Sequence, residues 1–492
     1  MSTHPDGPRD RGLRAGLLWG LPAAVVVGGV VYLQASGDDA MPDASATPAS
    51  RSEHEDAKDA YLAEVTAASS TGDAPNVLLV YYDDLGYGDV GFMGDTPIAT
   101  PHMDALAEDG VVLTSFHAPS AVCTPSRAAL LTGRLAPRAG VPDVLFPSES
   151  PYADLNTSAG LGQDEVTMSE ILQAAGYDTA MIGKWHLGDT EGSLPNDFGF
   201  ASFLGSLYSN DMSPFALYRD GDVVEEEVDQ AGLDGLYTDE AVAFIDEAAA
   251  TDEPFFLYFA HNFPHEPLHA AAENEGRSDA GTYGDVVEGL DDGIGEMVAE
   301  LEATGQLDNT ILIITSDNGP WYQGSTGGVR GRKGEVYEGG MRVPFLVHWP
   351  EGVEGGRTLD AMAMGTDILP TLLEWIGIEA PSDRVLDGSS MAGLLAGTSE
   401  QVGEFYYFYA GEQLLAVSDG RYKYYREQPY VDVSSGTADV SVTEQGPWLF
   451  DLSVDPDESY DVLARYPEVG AALAAELERR DAEMAENPRG WS

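Results

Sequence analysis

The chain has 492 residues, long enough for a large core with an appended unit, and 43% of them are hydrophobic, which excludes generic disorder. Asp and Glu number 84 against 24 Lys and Arg, a net charge of −60. A surface of that sign excludes nucleic acid and anionic membranes as partners, and a single cysteine, Cys123, excludes an internal disulfide framework.

The acids are spread over most of the chain rather than gathered in a tail. Such a surface is expected to hold water and counter-ions at high salt, a halophilic pattern. Only four lysines occur, Lys58, Lys184, Lys333 and Lys423. A chain that has all but discarded lysine is expected to keep it where the charge is needed.

In chain order, Arg9, Arg11 and Arg14 precede an uncharged run from Ala15 to Leu33. The run is just long enough to cross a bilayer, with the arginines left in the cytoplasm. A secretory signal peptide is the alternative, but Leu33-Gln34-Ala35-Ser36 is a poor cleavage site. Residues 1–35 are therefore expected to be a signal anchor or signal peptide, the only membrane contact, with the rest exported. No cysteine follows to carry a lipid. Residues 36–73, rich in Ala, Ser, Asp, Thr and Pro, read as a flexible linker with a short helix near Ala57–Ala67.

From residue 74 onward, apolar runs alternate with helical patterns, which predicts α/β architecture. Strands are expected at Val77–Tyr82, Thr179–Ile182, Phe255–Phe259 and Thr310–Thr315, each apolar throughout enough to be buried on both faces. Helices are expected at Met103–Asp109, Thr167–Ala175, Tyr237–Ala249 and Tyr283–Thr304. The four strands run respectively into Asp83-Asp84, Lys184 and His186, His261 and His265, and Asp317-Asn318. Ligands of open α/β sheets bind beyond the carboxyl ends of strands, so neighbouring strands would bring these groups into one crevice. A catalytic domain over residues 74–403 is then followed by a small α+β domain over 404–492. Its antiparallel strands are expected at Phe405–Tyr409, Leu414–Val417 and Tyr422–Tyr425, and a closing helix at Ala464–Asn487.

Asp83, Asp84, Asp317 and Asn318 offer only hard oxygen ligands, which suit calcium or magnesium and not zinc. Cys123-Thr124-Pro125-Ser126-Arg127 is followed by Leu131-Thr132-Gly133-Arg134. Pro125 fits the first turn of a helix and Gly133 its end, so Cys123 is expected at a helix N-terminus, which favours an anion.

This Cys-x-Pro-Ser-Arg string resembles the signature of the formylglycine-dependent sulfatases, in which the cysteine is oxidised to an aldehyde after translation. The likeness runs strongly from about Ala74 to Pro350 and more loosely beyond. It looks closest to the arylsulfatase A branch, through Gly183-Lys184-Trp185-His186-Leu187-Gly188, Gly331-Arg332-Lys333-Gly334 and Tyr337-Glu338-Gly339-Gly340. Leu449-Phe450-Asp451-Leu452, with Asp455-Pro456-Asp457-Glu458, resembles the family's C-terminal motif. The resemblance implies the alkaline-phosphatase-like sulfatase fold, a large mixed sheet flanked by helices plus a small C-terminal α+β unit with an antiparallel sheet.

It also implies roles. Asp83, Asp84, Asp317 and Asn318 would bind one Ca2+, or Mg2+, with residue 123 beside it. Cys123, as formylglycine made by a formylglycine-generating enzyme, would be the nucleophile after hydration to a geminal diol. Arg127 would hold that diol, and Lys184 and Lys333 would clamp sulfate oxygens. His186 would be the base that collapses the covalent intermediate, His265 would assist the leaving group, and Ser209 would touch the substrate, a sulfate ester of aryl, glycan or lipid type. His261 and His269 read as wall or surface residues, and nothing singles out His102 or His117. A phosphonate or phosphate ester hydrolase of the same superfamily is the second reading, and a non-catalytic sulfoglycan-binding protein the third.

Overall fold

A computed structural model of the protein describes residues 24–27, 30–33, 52–68, 74–251, 253–432 and 441–492. The chain divides into residues 1–50 and 51–492. In the first unit Ala24–Val27 and Val30–Leu33 pair as antiparallel strands. The remainder of the expected anchor run Ala15–Leu33 lies outside the described residues, and no described helix is long and apolar enough to cross a membrane.

The second unit is built on a ten-stranded sheet. Its strands are β1 Asn76–Tyr82, β2 Val111–His117, β3 Asp178–Lys184, β4 Ser202–Ser206, β5 Leu217–Arg219, β6 Asp222–Glu225, β7 Phe255–Ala260, β8 Thr310–Ser316, β9 Leu346–His348 and β10 Arg357–Met364. The order is β10-β2-β9-β8-β1-β7-β3-β4-β5-β6. Only β9 and β5 run against the rest, so the sheet is mixed, as expected. The four strands anticipated from apolar runs are the contiguous centre, β8-β1-β7-β3, all parallel.

Alternation along β1 explains why these strands read as unbroken hydrophobic runs. Val77, Leu79 and Tyr81 enter the core on one face, and Leu78, Val80 and Tyr82 enter the core on the other. Numbering helices of seven residues or more, α1 is Glu53–Ala68, α2 Pro101–Asp109, α3 Cys123–Thr132, α4 Met168–Ala174, α5 Leu233–Ala248, α6 Gly281–Ala303 and α7 Ile368–Ile376. The first face is covered by α3, α4 and α7 through Leu130, Leu131, Ile171 and Leu372. The second is covered by α2, α5 and α6 through Met103, Ile245, Leu290 and Ile294. Every residue of α3 is buried, and the helix stops at Gly133 with φ 66°, a left-handed turn that glycine takes without strain.

The helix expected near Ala57–Ala67 is four turns long and docked. Its Lys58 and Val65 are buried, and Lys58 Nζ lies 2.5 Å from Glu170 at the start of α4. Glu170 also closes the capping box of α4 with Thr167.

A second, four-stranded antiparallel sheet follows: β11 Tyr406–Ala410, β12 Gln413–Ser418, β13 Tyr422–Tyr425 and β14 Trp448–Asp451. Leu473 and Leu477 of the last helix, α8 Pro467–Glu486, close its core.

All four lysines of the chain lie inside: the side chains of Lys58, Lys184, Lys333 and Lys423 are 6%, 0%, 8% and 0% exposed. The surface therefore meets solvent with carboxylates and a few arginines, and it repels itself. Salt screens that repulsion, the Debye length falling from ~10 Å at 0.1 M to ~3 Å at 1 M. The melting temperature should rise between ~0.1 and ~1 M potassium chloride; a steady fall across that range would contradict the halophilic reading.

Candidate active site

Register brings the acids together. Ser316 of β8 lies opposite Tyr82 of β1, so the residues that follow, Asp83-Asp84 and Asp317-Asn318, leave the sheet side by side. The Asp317 N–H donates to the Tyr82 carbonyl at 3.0 Å, and the Asp84 N–H donates to Asp317 Oδ1 at 3.2 Å. All four side chains are buried.

Two neighbouring strands add cations and imidazoles. β3 ends in Gly183-Lys184, and Gly183 takes φ 111° where a Cβ would come within 2.0 Å of the Ala260 carbonyl of β7. Only glycine lets the two strands close up there and deliver Lys184. Lys184 Nζ donates to Asp83 Oδ2 and, at 3.2 Å, to Ser209 Oγ. Lys333 arrives on a loop with no regular structure; its Nζ donates to Asp84 Oδ1 at 2.7 Å and to Cys123 Sγ at 3.2 Å. The Cys123 thiol donates to Asp83 Oδ1 at 3.4 Å from the first residue of α3.

Arg127, one turn further along α3, directs its guanidinium elsewhere than expected. Nε and Nη2 donate to Asp317 Oδ2 at 3.2 and 2.8 Å, and Nη1 donates to the Lys184 carbonyl at 2.8 Å. It braces the end of β3 and one acid of the cluster.

A carbonyl oxygen can only accept, so the ring nitrogen that meets one carries a proton. His186 Nε2 meets the Leu145 carbonyl at 2.9 Å and so carries the proton. Its Nδ1 is buried without a partner, a free lone pair. Burial and then Lys184 push His186 well below the usual histidine range, so its ring is neutral. His265 Nδ1 meets the Glu266 carbonyl at 2.5 Å and Asn210 Oδ1 at 3.1 Å, which turns Nε2 towards Asp84 Oδ2 at 3.8 Å. Ser209 Oγ lies 3.5 Å from the His265 ring. Asn210 was not singled out in the sequence; its one signal was the place beside Ser209. His261 faces the core, with Nδ1 accepting from the Phe263 N–H at 2.9 Å and burial lowering it to about 3. His269 packs near Phe263.

The charges set one another. Burial alone would raise the Asp83 carboxyl, but Lys184, His265 and Arg127 outweigh it and hold Asp83 ionised. Asp317 is pushed up, by burial and then by the charge of Asp83. Burial opposes the Lys333 ammonium, yet the carboxylate of Asp84 keeps it protonated. The Cys123 thiol is pushed up by burial and then by Asp83, so it stays protonated.

The backbone is strained here too. Asp84 has φ 66° and His186 φ 61°, two of four described non-glycine residues in the left-handed region. Each costs ~1–3 kcal/mol and persists only where the surroundings impose it.

Do these residues fit a cation? One ligand atom each of Asp83, Asp84, Cys123 and His265 lie within 4.8 Å of one another. Asn318 Nδ2 donates to Asp84 Oδ1 at 2.6 Å, which leaves its Oδ1 buried without a partner. An orphaned amide oxygen among carboxylates suits a hard divalent ion. Asp317 is less free than expected, since Oδ2 is engaged by Arg127.

The sulfatase family model matches residues 75–378, and that of the N-sulphoglucosamine sulphohydrolase C-terminal region matches 332–483. Arylsulfatase A of Homo sapiens is 36% identical over 459 residues, 84% of this chain and 89% of that protein. N-acetylgalactosamine-6-sulfatase of Homo sapiens is 36% identical over 379 residues, 72% of each chain. Among solved structures, the PsFucS1 sulfatase of Pseudoalteromonas sp. superposes with a TM-score of 0.75 at 30% identity, covering 89% of this chain and 96% of its own.

The donor set predicts cation-dependent stability. A divalent ion at ~100 times its dissociation constant should stabilise the fold by about 2.7 kcal/mol, read as a rise in melting temperature. Asp84→Asn should lower the ion-free melting temperature, because Lys333 loses its buried partner, and should remove most of the rise measured from that lower baseline; an equal rise in the variant would place the ion elsewhere.

Proposed function

The chain belongs to the sulfatase family, with an alkaline-phosphatase-like fold, and cleaves sulfate esters; from that premise we propose that it does so through a formylglycine made from Cys123. Asp83, Asp84, Asp317 and Asn318 would hold one divalent ion, for which calcium is our reading and magnesium the other ion of fitting chemistry. The observation that carries the reading is the position of Cys123. It sits at the N-terminus of a fully buried helix, 3.4 Å from Asp83 and 3.2 Å from Lys333, while its thiol is held protonated. A protonated thiol is a poor nucleophile. A diol oxygen at the same place becomes a good one when Asp83, which already accepts from residue 123, takes its proton.

A separate formylglycine-generating enzyme, using an external oxidant, removes two electrons from Cβ; the carbon–sulfur bond breaks, sulfur leaves as sulfide, and oxygen takes its place to give the aldehyde. Hydration gives a geminal diol. When bound, the divalent ion supplies positive charge that offsets charge on the sulfate oxygens and on the attacking oxygen. Lys184 and Lys333, both buried, hold the non-bridging oxygens. One diol oxygen passes its proton to Asp83 Oδ1, which already accepts from residue 123, and attacks sulfur; the sulfur–oxygen bond to the alcohol breaks, and His265 gives the leaving oxygen the proton of Nε2. The sulfuryl group now rests on residue 123. Nδ1 of His186 takes the proton of the second hydroxyl, the aldehyde carbonyl re-forms, and sulfate departs. Arg127 keeps Asp317 and the end of β3 in place throughout. Ser209, between Lys184 and His265, contacts the substrate.

The uncharged run Ala15–Leu33 behind three arginines supports export of the mature enzyme, anchored or released.

Mass spectrometry of the Cys123 peptide from the native cell should find the aldehyde. Cys123→Ala should abolish aryl sulfate turnover, and Cys123→Ser should stop after one transfer, because serine has no second hydroxyl with which to expel sulfate. Fully active protein with an unmodified cysteine would overturn the reading. Faster turnover of an aryl phosphonate than of an aryl sulfate would move the substrate to phosphonate esters.

A further inference from the structure

Three of the four lysines are accounted for: Lys58 docks α1, and Lys184 and Lys333 meet the acids of the site. The fourth, Lys423, lies in β13 of the small sheet, and its side chain is wholly buried. Its Nζ donates to the Val336 carbonyl and to Glu338 Oε1, each at 2.9 Å, and lies 3.3 Å from Glu458 Oε1. The ammonium sits 4.0 Å from the centre of the Phe408 ring.

Around it every polar group is partnered. The Tyr425 hydroxyl lies 3.2 Å from the Val336 carbonyl and donates to Glu458 Oε1 at 2.5 Å. Glu458 Oε2 accepts from the Glu338 N–H at 2.7 Å, and Glu338 Oε2 meets His117 Nε2 at 2.9 Å. Glu458 itself has φ 49°, a third non-glycine residue in the left-handed region. Two buried carboxylates thus share one ammonium, and both hold the segment Val336–Glu338.

That segment is the far end of the loop that carries Lys333. The near end is held by the Lys333 N–H on the Pro320 carbonyl at 3.2 Å, the Gly334 N–H on the Ala121 carbonyl at 2.8 Å, the Glu335 N–H on the Arg332 carbonyl at 2.9 Å and Arg332 Nη1 on the Trp321 and Gly324 carbonyls at 2.7 and 2.8 Å, while the Gly339 N–H on the Arg330 carbonyl at 2.6 Å closes the base of the loop. These bonds fix the chain as far as Glu335; the side chains and carbonyl of Val336–Glu338 that follow are held by the buried group around Lys423. An ammonium that must reach Asp84 and Cys123 from an irregular loop needs both ends of that loop fixed, because a misplacement of about 1 Å already costs about 100-fold in rate.

We propose that Lys423 is a positioning residue for Lys333, gripping the loop from the C-terminal sheet so that this sheet completes the catalytic centre. The proposal rests on the reading of Lys333 as a sulfate-holding group. The plainer account is that Lys423 only staples the small sheet to the large one.

A double-mutant cycle separates them. Lys423→Met, Lys333→Ala and the double variant are compared with the parent in kcat/KM for an aryl sulfate and in inhibition by inorganic sulfate. If Lys423 acts through Lys333, Lys423→Met lowers kcat/KM by about 10-fold or more and weakens inhibition by sulfate, yet removes almost nothing further once Lys333 is alanine. Equal losses in both backgrounds overturn the proposal and leave a staple. If Lys333→Ala alone leaves sulfate inhibition unchanged, the role given to Lys333 fails first, and the proposal falls with it. Should Lys423→Met not fold, Tyr425→Phe, which removes one neutral hydroxyl from the same grip, replaces it in the cycle. Additive losses there overturn the proposal, and a loss confined to the Lys333 background supports it.

Discussion

Three carboxylates, Asp83, Asp84 and Asp317, leave two adjacent parallel strands with their side chains buried together. Like charges cannot be buried together uncompensated. The fold answers with three cations, each from a different element: Arg127 from α3, Lys184 from β3 and Lys333 from a loop. The strand order that makes β3 a near neighbour of β1, the burial of all of α3 and the glycine that lets β3 approach β7 all serve that balance. A divalent ion fits the oxygens left over. The same balance prepares the chemistry, since an anionic ester entering this space meets cations already fixed in place, with no reorganisation left to perform.

The centre of this arrangement was legible in the sequence. The four core strands announced themselves because each is apolar on both faces, and their ends carried the chemistry by immediate succession. Cys123 to Gly133 read as a capped helix because its start and stop residues are local. What could not be read was whatever joins positions far apart. Lys423 meets Glu338 and Glu458 only after the chain folds back, and Glu338 finds His117 across the sheet. Both glutamates lie in strings that resemble family motifs, but nothing local shows that they meet one ammonium, and His117 looked ordinary. Arg127 was visible, but its choice of Asp317 follows from strand register, which local pattern does not encode. The helix near residue 60 was visible as well, while its docking through Lys58 and Glu170 was not.

Strain marks the same places. Asp84, His186 and Glu458 occupy backbone conformations that cost non-glycine residues free energy. Two lie in the site, and the third lies in the buried group behind the Lys333 loop. Such positions are held by surroundings that over-determine them, and here the surroundings are buried ion pairs. The small sheet is therefore joined to the large one by a polar knot as well as by the contacts of Tyr406, Phe408 and Leu414. A purely apolar seam would bind as well, with less control over direction, because hydrogen bonds to a buried ammonium fix geometry where greasy contacts tolerate sliding.

The withdrawal of lysine from the surface has a practical side. Apart from its own amino terminus, the chain offers acylating dyes, amine cross-linkers and amine-coupled resins almost nothing to react with. Of the four ammonium-bearing side chains, the most open is Lys333, at 8% exposed, and it lies beside Asp84 and Cys123. Amine-directed reagents that would decorate an ordinary protein at random therefore meet, on this one, little besides the amino terminus, because even Lys333 is held protonated by Asp84: a single label at a single place follows from the composition.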